Sequence, residues 1–193
     1  MINAESFFKN TRLSLFHGFL SEPQVDNINA ILNRWDQAYP KADIRHIAYS
    51  LATTYHETDF TMLPIKEYGE GRGYAYGQIV GPWHQVYYGR GDVQETWERN
   101  YIFATRRLRE LNLITASQDL DKNPDLALDP TIAAAILVVG MEEGWFTGVG
   151  LNTFFNSQRS DPVNARRVVN GTDCCNAIAG YYRTFFNALT SQN

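Results

Sequence analysis

Tyr55-His56-Glu57-Thr58 and Tyr87-Tyr88-Gly89-Arg90-Gly91-Asp92-Val93-Gln94 frame the stretch around which this sequence is organised. Pro64-Ile65-Lys66-Glu67-Tyr68 stands between them, and Thr96-Trp97 and Asn100-Tyr101 follow. Glu57 and Glu67 are ten residues apart, and a glycine turn leads into a run of amide, hydroxyl and aromatic side chains. One carboxyl group can protonate a leaving oxygen while another activates water on the opposite face of a sugar ring. Amides and hydroxyls suit a ligand rich in hydroxyl groups, and aromatic rings offer flat apolar faces. The residue types are those of a sugar-cleaving cleft.

Upstream of this stretch the pattern is helical. Asp43 is a capping residue, and Ile44, Ile47, Ala48, Leu51, Ala52 and Tyr55 follow at the spacing of one buried stripe, so a helix is expected to deliver Glu57 at its C-terminal end. Ser21-Glu22-Pro23-Gln24 reads as another helix start with a capping box. Val25, Ile28, Ile31, Leu32 and Trp35 form its stripe and Tyr39-Pro40 its end. Residues 1–20 predict a first helix and a loop around Gly18.

Downstream, Gly69, Gly71, Gly73, Gly77 and Gly81 punctuate residues 61–86 too often for a long helix, and an irregular segment with room for a short hairpin is expected. These glycines lack the strand-then-helix setting of a phosphate loop. Helix returns from Thr96 to Asn112. Asp129-Pro130 caps a further helix whose residues Ile132 to Val139 are apolar nearly all round, the mark of burial on every side. Residues 148–159 read as a loop or short helix. Pro162 opens a helix ending near Asn170-Gly171, and the last helix carries Ile178, Tyr181, Tyr182, Phe185 and Leu189. The class is mainly α.

Composition bounds the function. Hydrophobic residues at 44% and charged residues at 20% describe an ordinary globular chain, and 193 residues fit one domain, taken as 1–193. A net charge of −4 argues against nucleic acid as a partner and gives no pull toward an anionic membrane. Most of the Tyr, Phe and Trp residues are expected in the core. The adjacent Cys174 and Cys175 make a poor disulfide and a poor zinc site, so both are expected reduced, and synthesis in the cytoplasm is expected from that and from the absence of a signal pattern at Met1-Ile2-Asn3. His56-Glu57 lacks the second histidine of a zinc-protease motif, because Phe60 stands there, so no metal and no cofactor are expected. His56 reads instead as a buried, hydrogen-bonded support for the cleft. A monomer is expected.

His56-Glu57-Thr58, the Gly89-Arg90-Gly91 turn and the run Gln94 to Tyr101 resemble the signature of glycoside hydrolase family 19, which contains chitinases and phage endolysins. Asn123-Pro124-Asp125-Leu126 with Asp129-Pro130, and Val169-Asn170-Gly171, agree in the family's order, over roughly residues 45–190. The resemblance implies a lysozyme-like, two-lobed helical domain with a cleft. It implies Glu57 as general acid, and the neighbours of Glu57 in the sequence, Tyr55 and Phe60, are expected to give an apolar surround that keeps its proton available. It makes Glu67 the candidate base, its backbone fixed by Pro64 and Tyr68, with Glu70 and Glu95 as alternatives. Thr96 would hold the attacking water. Gln94, Asn100 and Asn170, with His56 and Tyr88, would contact the sugar; Thr96 and Asn100 share a face if both are helical, though Thr96 could equally cap that helix and Asn170 could equally end one. The implied partner is a β-1,4 polymer of N-acetylated amino sugars, with peptidoglycan preferred to chitin.

Three departures stand against that pattern. Glu95 occupies a position that is usually apolar, and Asp92 one that is usually aromatic or proline, so extra negative charge is expected near the turn. Ala177-Ile178 stands where plant members carry an arginine, with Arg183 the nearest cation in the sequence. An inactive glycan-binding module is the alternative class.

Overall fold

The computed structural model describes residues 3–191. Its α-helices are α1 (Ala4–Leu15), α2 (Glu22–Ala38), α3 (Ile44–Glu57), α4 (Glu98–Glu110), α5 (Pro130–Glu143) and α6 (Cys175–Thr190). Their ends follow from local chemistry. Ser21 and Gln24 form a reciprocal capping box at α2, Asp43 accepts from the Arg45 N–H at α3, and Asp129 accepts from the N–H groups of Thr131 and Ile132 ahead of Pro130. Each bond satisfies an amide that has no partner within the first turn.

The core lies where α2 packs on α5 and where α3 and α1 pack on α6. Ile28, Ile31 and Trp35 of α2 and Phe185 of α6 are fully enclosed in one apolar cluster. Residues Ile132 to Met141 of α5 are buried on every face, as its uniformly apolar sequence requires. Gly140 sits inside this helix for a steric reason. A Cβ there would lie 2.4 Å from Cζ of Phe146, so the missing methyl group is the space the ring occupies.

The segment between α3 and α4 is irregular, as its glycines predict, with a short local antiparallel bridge between Val80 and Gln85 and one long-range pairing. Strand β1 (Ile65–Lys66) pairs antiparallel with the distant β2 (Arg90–Gly91), Ile65 opposite Gly91. Gly91 has φ +88°, and a Cβ on it would come within 2.8 Å of the Ala127 carbonyl, so β2 is pressed against the 3-10 helix Pro124–Leu128. Three expectations change. Helix α4 begins at Glu98, so Thr96 lies outside it, because Trp97 takes φ 76° and interrupts the backbone. Residues 148–159 contain the 3-10 turn Leu151–Thr153 and a hairpin, β3 (Phe155–Asn156) with β4 (Arg159–Ser160). The segment after Pro162 forms only a 3-10 helix, Asn164–Val168.

Candidate active site

Glu57 ends α3 with its side chain in a cavity of about 400 Å³, whose walls come from four places: α3, the turn 93–97, α4 through Asn100, and the loops carrying Tyr76, Phe146, Val169 and Asn170. Its Oε1 accepts from Nη1 of Arg166, a residue almost wholly buried in the 3-10 helix Asn164–Val168. The same guanidinium donates through Nε to the Asp173 carbonyl at 3.1 Å. Arg166 therefore fixes the direction of the Glu57 carboxyl and leaves Oε2 unengaged. Tyr55 and Phe60 do not provide the expected apolar surround. Their rings pack on each other at 5.0 Å and on Tyr181, and the Tyr55 hydroxyl donates to the Leu15 carbonyl.

Glu67 follows β1. Its N–H donates to the Gly89 carbonyl at 2.8 Å. Its Oε1 accepts from the Tyr76 hydroxyl at 3.1 Å and its Oε2 from the Gly89 N–H at 3.2 Å. These bonds, rather than Pro64 or Tyr68, hold the residue; Tyr68 is 83% exposed and donates to Asp59. Tyr76 is the link to the cavity, since it lines the wall and touches Glu67 at once. Glu70 is exposed.

The turn after β2 is built on Arg90. Its guanidinium donates to Asp125 Oδ1 at 2.7 Å and to the carbonyls of Val86 and Tyr88, and it lies 3.6 Å from the centre of the Tyr88 ring. The Arg90 and Glu95 backbones bond to each other in both directions, closing the turn. Gln94, at φ 56°, points its amide nitrogen at the carbonyls of Ile65 and Gly91, so that group is spent on the turn. Thr96 donates its hydroxyl to the Gln94 carbonyl at 2.8 Å. Asn100 donates to the Thr96 carbonyl at 2.7 Å, which brings the two together without a shared helix.

Asp92 and Glu95 do not add the negative charge expected of them. Asp92 is 0% exposed, and burial raises its carboxyl to about 7 against the opposing hydrogen bond from Asn27. Asn27 Nδ2 donates to Asp92 Oδ1 at 2.9 Å, while Asn27 Oδ1 and Asp92 Oδ2 have no hydrogen-bond partner among the described residues. A protonated Oδ2 facing Oδ1 of the amide would complete an acid–amide pair. Glu95 is equally enclosed, and burial raises it to about 8 against the Asn100 amide and the Thr96 N–H. Desolvation disfavours a carboxylate, so both groups tend to stay neutral.

Neither a family sequence model nor a curated protein matches this sequence significantly. Solved structures do match. Chitinase C from Streptomyces griseus HUT6037 superposes with a TM-score of 0.61 at 20% identity, over 100% of this chain and 79% of that one. A family GH19 class IV chitinase from Zea mays gives 0.60 at 21% identity, over 100% and 96%. A bacterial family 19 chitinase gives 0.58 at 19% identity, over 99% and 96%. This is the fold of the family 19 chitinases. At one-fifth identity the likeness establishes the family 19 architecture, and the chemistry has to be argued from the site.

Within that family 19 fold, Glu57, Gln94, Thr96, Asn100 and Asn170 converge on one cavity, and Glu67 joins it through Tyr76. Two predicted contacts do not arrive there. Tyr88 is buried beneath Arg90. His56 is half-buried on α3, so it is not the fully buried support expected, and it does not line the cavity. Asn170 is exposed at the rim and accepts from the Gly171 N–H. Sequence reasoning missed Arg166, the buried cation that pairs with Glu57, while Arg183 is exposed on α6. It also missed Trp97, Phe146 and Tyr76 as cavity walls; the aromatic spacing of Tyr74, Tyr76 and Trp97 was the available signal.

Proposed function

We propose that this chain is an inverting endo-glycosidase that hydrolyses β-1,4 bonds in polymers of N-acetylated amino sugars. The observation that carries the reading is the meeting of Glu57, held by Arg166, with Thr96, Asn100 and Asn170 in one cavity bounded by the Tyr76 that contacts Glu67. In this reading Glu57 protonates the leaving oxygen from Oε2, the oxygen that Arg166 does not occupy. Glu67 takes a proton from the attacking water. Thr96, whose hydroxyl hydrogen is committed to Gln94, offers oxygen lone pairs that can orient that water. Separated carboxyl groups with a water between them give inversion.

The finer substrate proposed is the glycan strand of bacterial peptidoglycan. Support comes from the short spacing between the two glutamates, which resembles the compact phage and bacterial members. Chitin is the second reading, favoured by the names of the similar structures, which are chitinases. The test is to incubate the protein with purified peptidoglycan and with chitin oligomers, then identify products by mass spectrometry. Release of fragments with muramic reducing ends supports the first substrate, and shortened chitin oligomers alone support the second. Early products of α configuration by proton NMR are expected in either case; β-anomers first would overturn the inverting assignment.

A further inference from the structure

Glu95 has no part in that scheme, yet it is a carboxylic acid enclosed in the wall of the cavity. It is 3% exposed and lines the cavity beside Glu57 and Asn100, among the apolar side chains of Val93, Phe146 and Val169. Its backbone is pinned. The N–H donates to the Arg90 carbonyl at 2.9 Å, and its own carbonyl accepts from the Arg90 N–H and from the Tyr101 hydroxyl. These bonds fix the backbone from which the side chain extends.

The groups that face it offer no counter-charge. Glu57 on α3 is already paired with Arg166, and the guanidinium of Arg90 is taken by Asp125 and two carbonyls. Tyr76 from the loop donates to Glu67, Tyr101 on α4 donates to main-chain carbonyls, and Asn100 gives an amide hydrogen to the Thr96 carbonyl. The remaining polar help, from the Asn100 amide and the Thr96 N–H, is outweighed by burial, which raises the carboxyl to about 8. A neutral acid has an O–H to donate, whereas the hydroxyls of Tyr76 and Thr96 are already given to Glu67 and to the Gln94 carbonyl and the proton of Glu57 is assigned to the leaving oxygen.

We propose that Glu95 is a specificity-determining residue that, as a neutral carboxylic acid, donates a hydrogen bond to a carbonyl oxygen of the ligand, the acetamido carbonyl of an N-acetylated sugar. The inference rests on the glycan reading above. An acetamido group presents one strong carbonyl acceptor and one methyl group, and the cavity presents one buried O–H donor beside Phe146 and Val169. Once Glu95 ionises it becomes acceptor-only and repels that carbonyl. Affinity should then be full below the Glu95 transition and fall as pH rises through it.

The experiment uses the full chain carrying Glu57→Gln, so that ligand is bound and not cut. Binding of the hexamer of N-acetylglucosamine, and separately of a peptidoglycan glycan strand, is measured by calorimetry from pH 6 to pH 9.5. The parent is expected to lose about tenfold in affinity across that range, the scale of one hydrogen bond. Adding Glu95→Gln keeps a neutral N–H donor and should bind as tightly at pH 6, with no loss at pH 9.5. Adding Glu95→Leu removes the donor and should bind about tenfold more weakly at pH 6, again without pH dependence; circular dichroism checks that it folds. Unchanged affinity in Glu95→Leu, or a pH dependence that survives in Glu95→Gln, overturns the role given to Glu95 and leaves the glycan reading standing. Failure of the parent to bind either glycan at any pH overturns the glycan reading and this inference with it.

Discussion

Glu57 and Arg166 meet at the cavity from positions 109 residues apart, one at the end of a long helix and the other in a single 3-10 turn. Because Arg166 is enclosed and also holds the Asp173 carbonyl, removing either partner affects more than charge. Glu57→Gln preserves shape and a hydrogen bond to the guanidinium, so it should fold and lose about 10²–10⁴-fold in hydrolysis, the usual worth of general acid catalysis. Arg166→Met leaves the carboxyl without its anchor. It should cost about 1–3 kcal/mol, typical of a lost charge-assisted bond, and lower kcat more than it raises KM. Melting curves and reducing-end release separate the two. Glu67→Gln should lose about 10²-fold or more, whereas Glu70→Gln, at an exposed position, should stay within several-fold; the reverse order would move the base role to Glu70. At this scale the sequence was readable wherever the cavity-lining residues sit in a contiguous motif. Glu57, Thr96 and Asn100 belong to such motifs. Arg166 acts only through a long-range pairing, and nothing in Asn164-Ala165-Arg166-Arg167 distinguishes a buried arginine from its exposed neighbour.

The helices were legible for a different reason, because caps and apolar stripes are local. Asp43, Ser21 and Asp129 each start a helix where their hydrogen-bonding capacity allows. The turn between β2 and α4 was misread because Gln94 and Trp97 adopt positive φ, a conformation held by distant contacts and not favoured by either residue type. The buried states of Asp92 and Glu95 were hidden for the same reason: charge in a sequence does not reveal enclosure. Helix α5 affects the cavity through Gly140, whose missing Cβ accommodates the Phe146 ring. Gly140→Ala gains helix propensity of roughly 1 kcal/mol, but must displace an aromatic ring, at a cost of about 1–3 kcal/mol. The expected outcome is a small net loss of stability and a several-fold rise in KM, because the displaced ring belongs to the cavity wall. An unchanged KM would mean that Phe146 relaxes away from the cavity.

For the molecule as a whole, the two enclosed acids set the direction of its pH response. Asp92 and Glu95 have folded-state values of about 7 and about 8, raised from 3.8 and 4.5. A raised value contributes stability that is complete below the unfolded value and is lost as pH rises through the folded one. Asp43, Asp125, Asp161 and Glu143 are held low by arginine or lysine partners, and their contribution is lost in acid. The stability maximum should therefore lie on the acid side of neutrality, at roughly pH 5. Between pH 5 and 8 the melting temperature should fall in the parent and much less in Asp92→Asn/Glu95→Gln; equal slopes would mean that neither acid is neutral when folded. The aromatic wall has a spectroscopic consequence as well. Trp35 is sealed in the core, whereas Trp97 is 44% exposed and stands in the cavity with Tyr76 edge-on at 5.4 Å. A sugar ring settling on Trp97 would exclude water from the indole and shift its emission to shorter wavelength, giving an unlabelled readout of occupancy. Loss of that shift in Trp97→Phe would assign the signal to this one side chain and not to Trp35, Trp83 or Trp145.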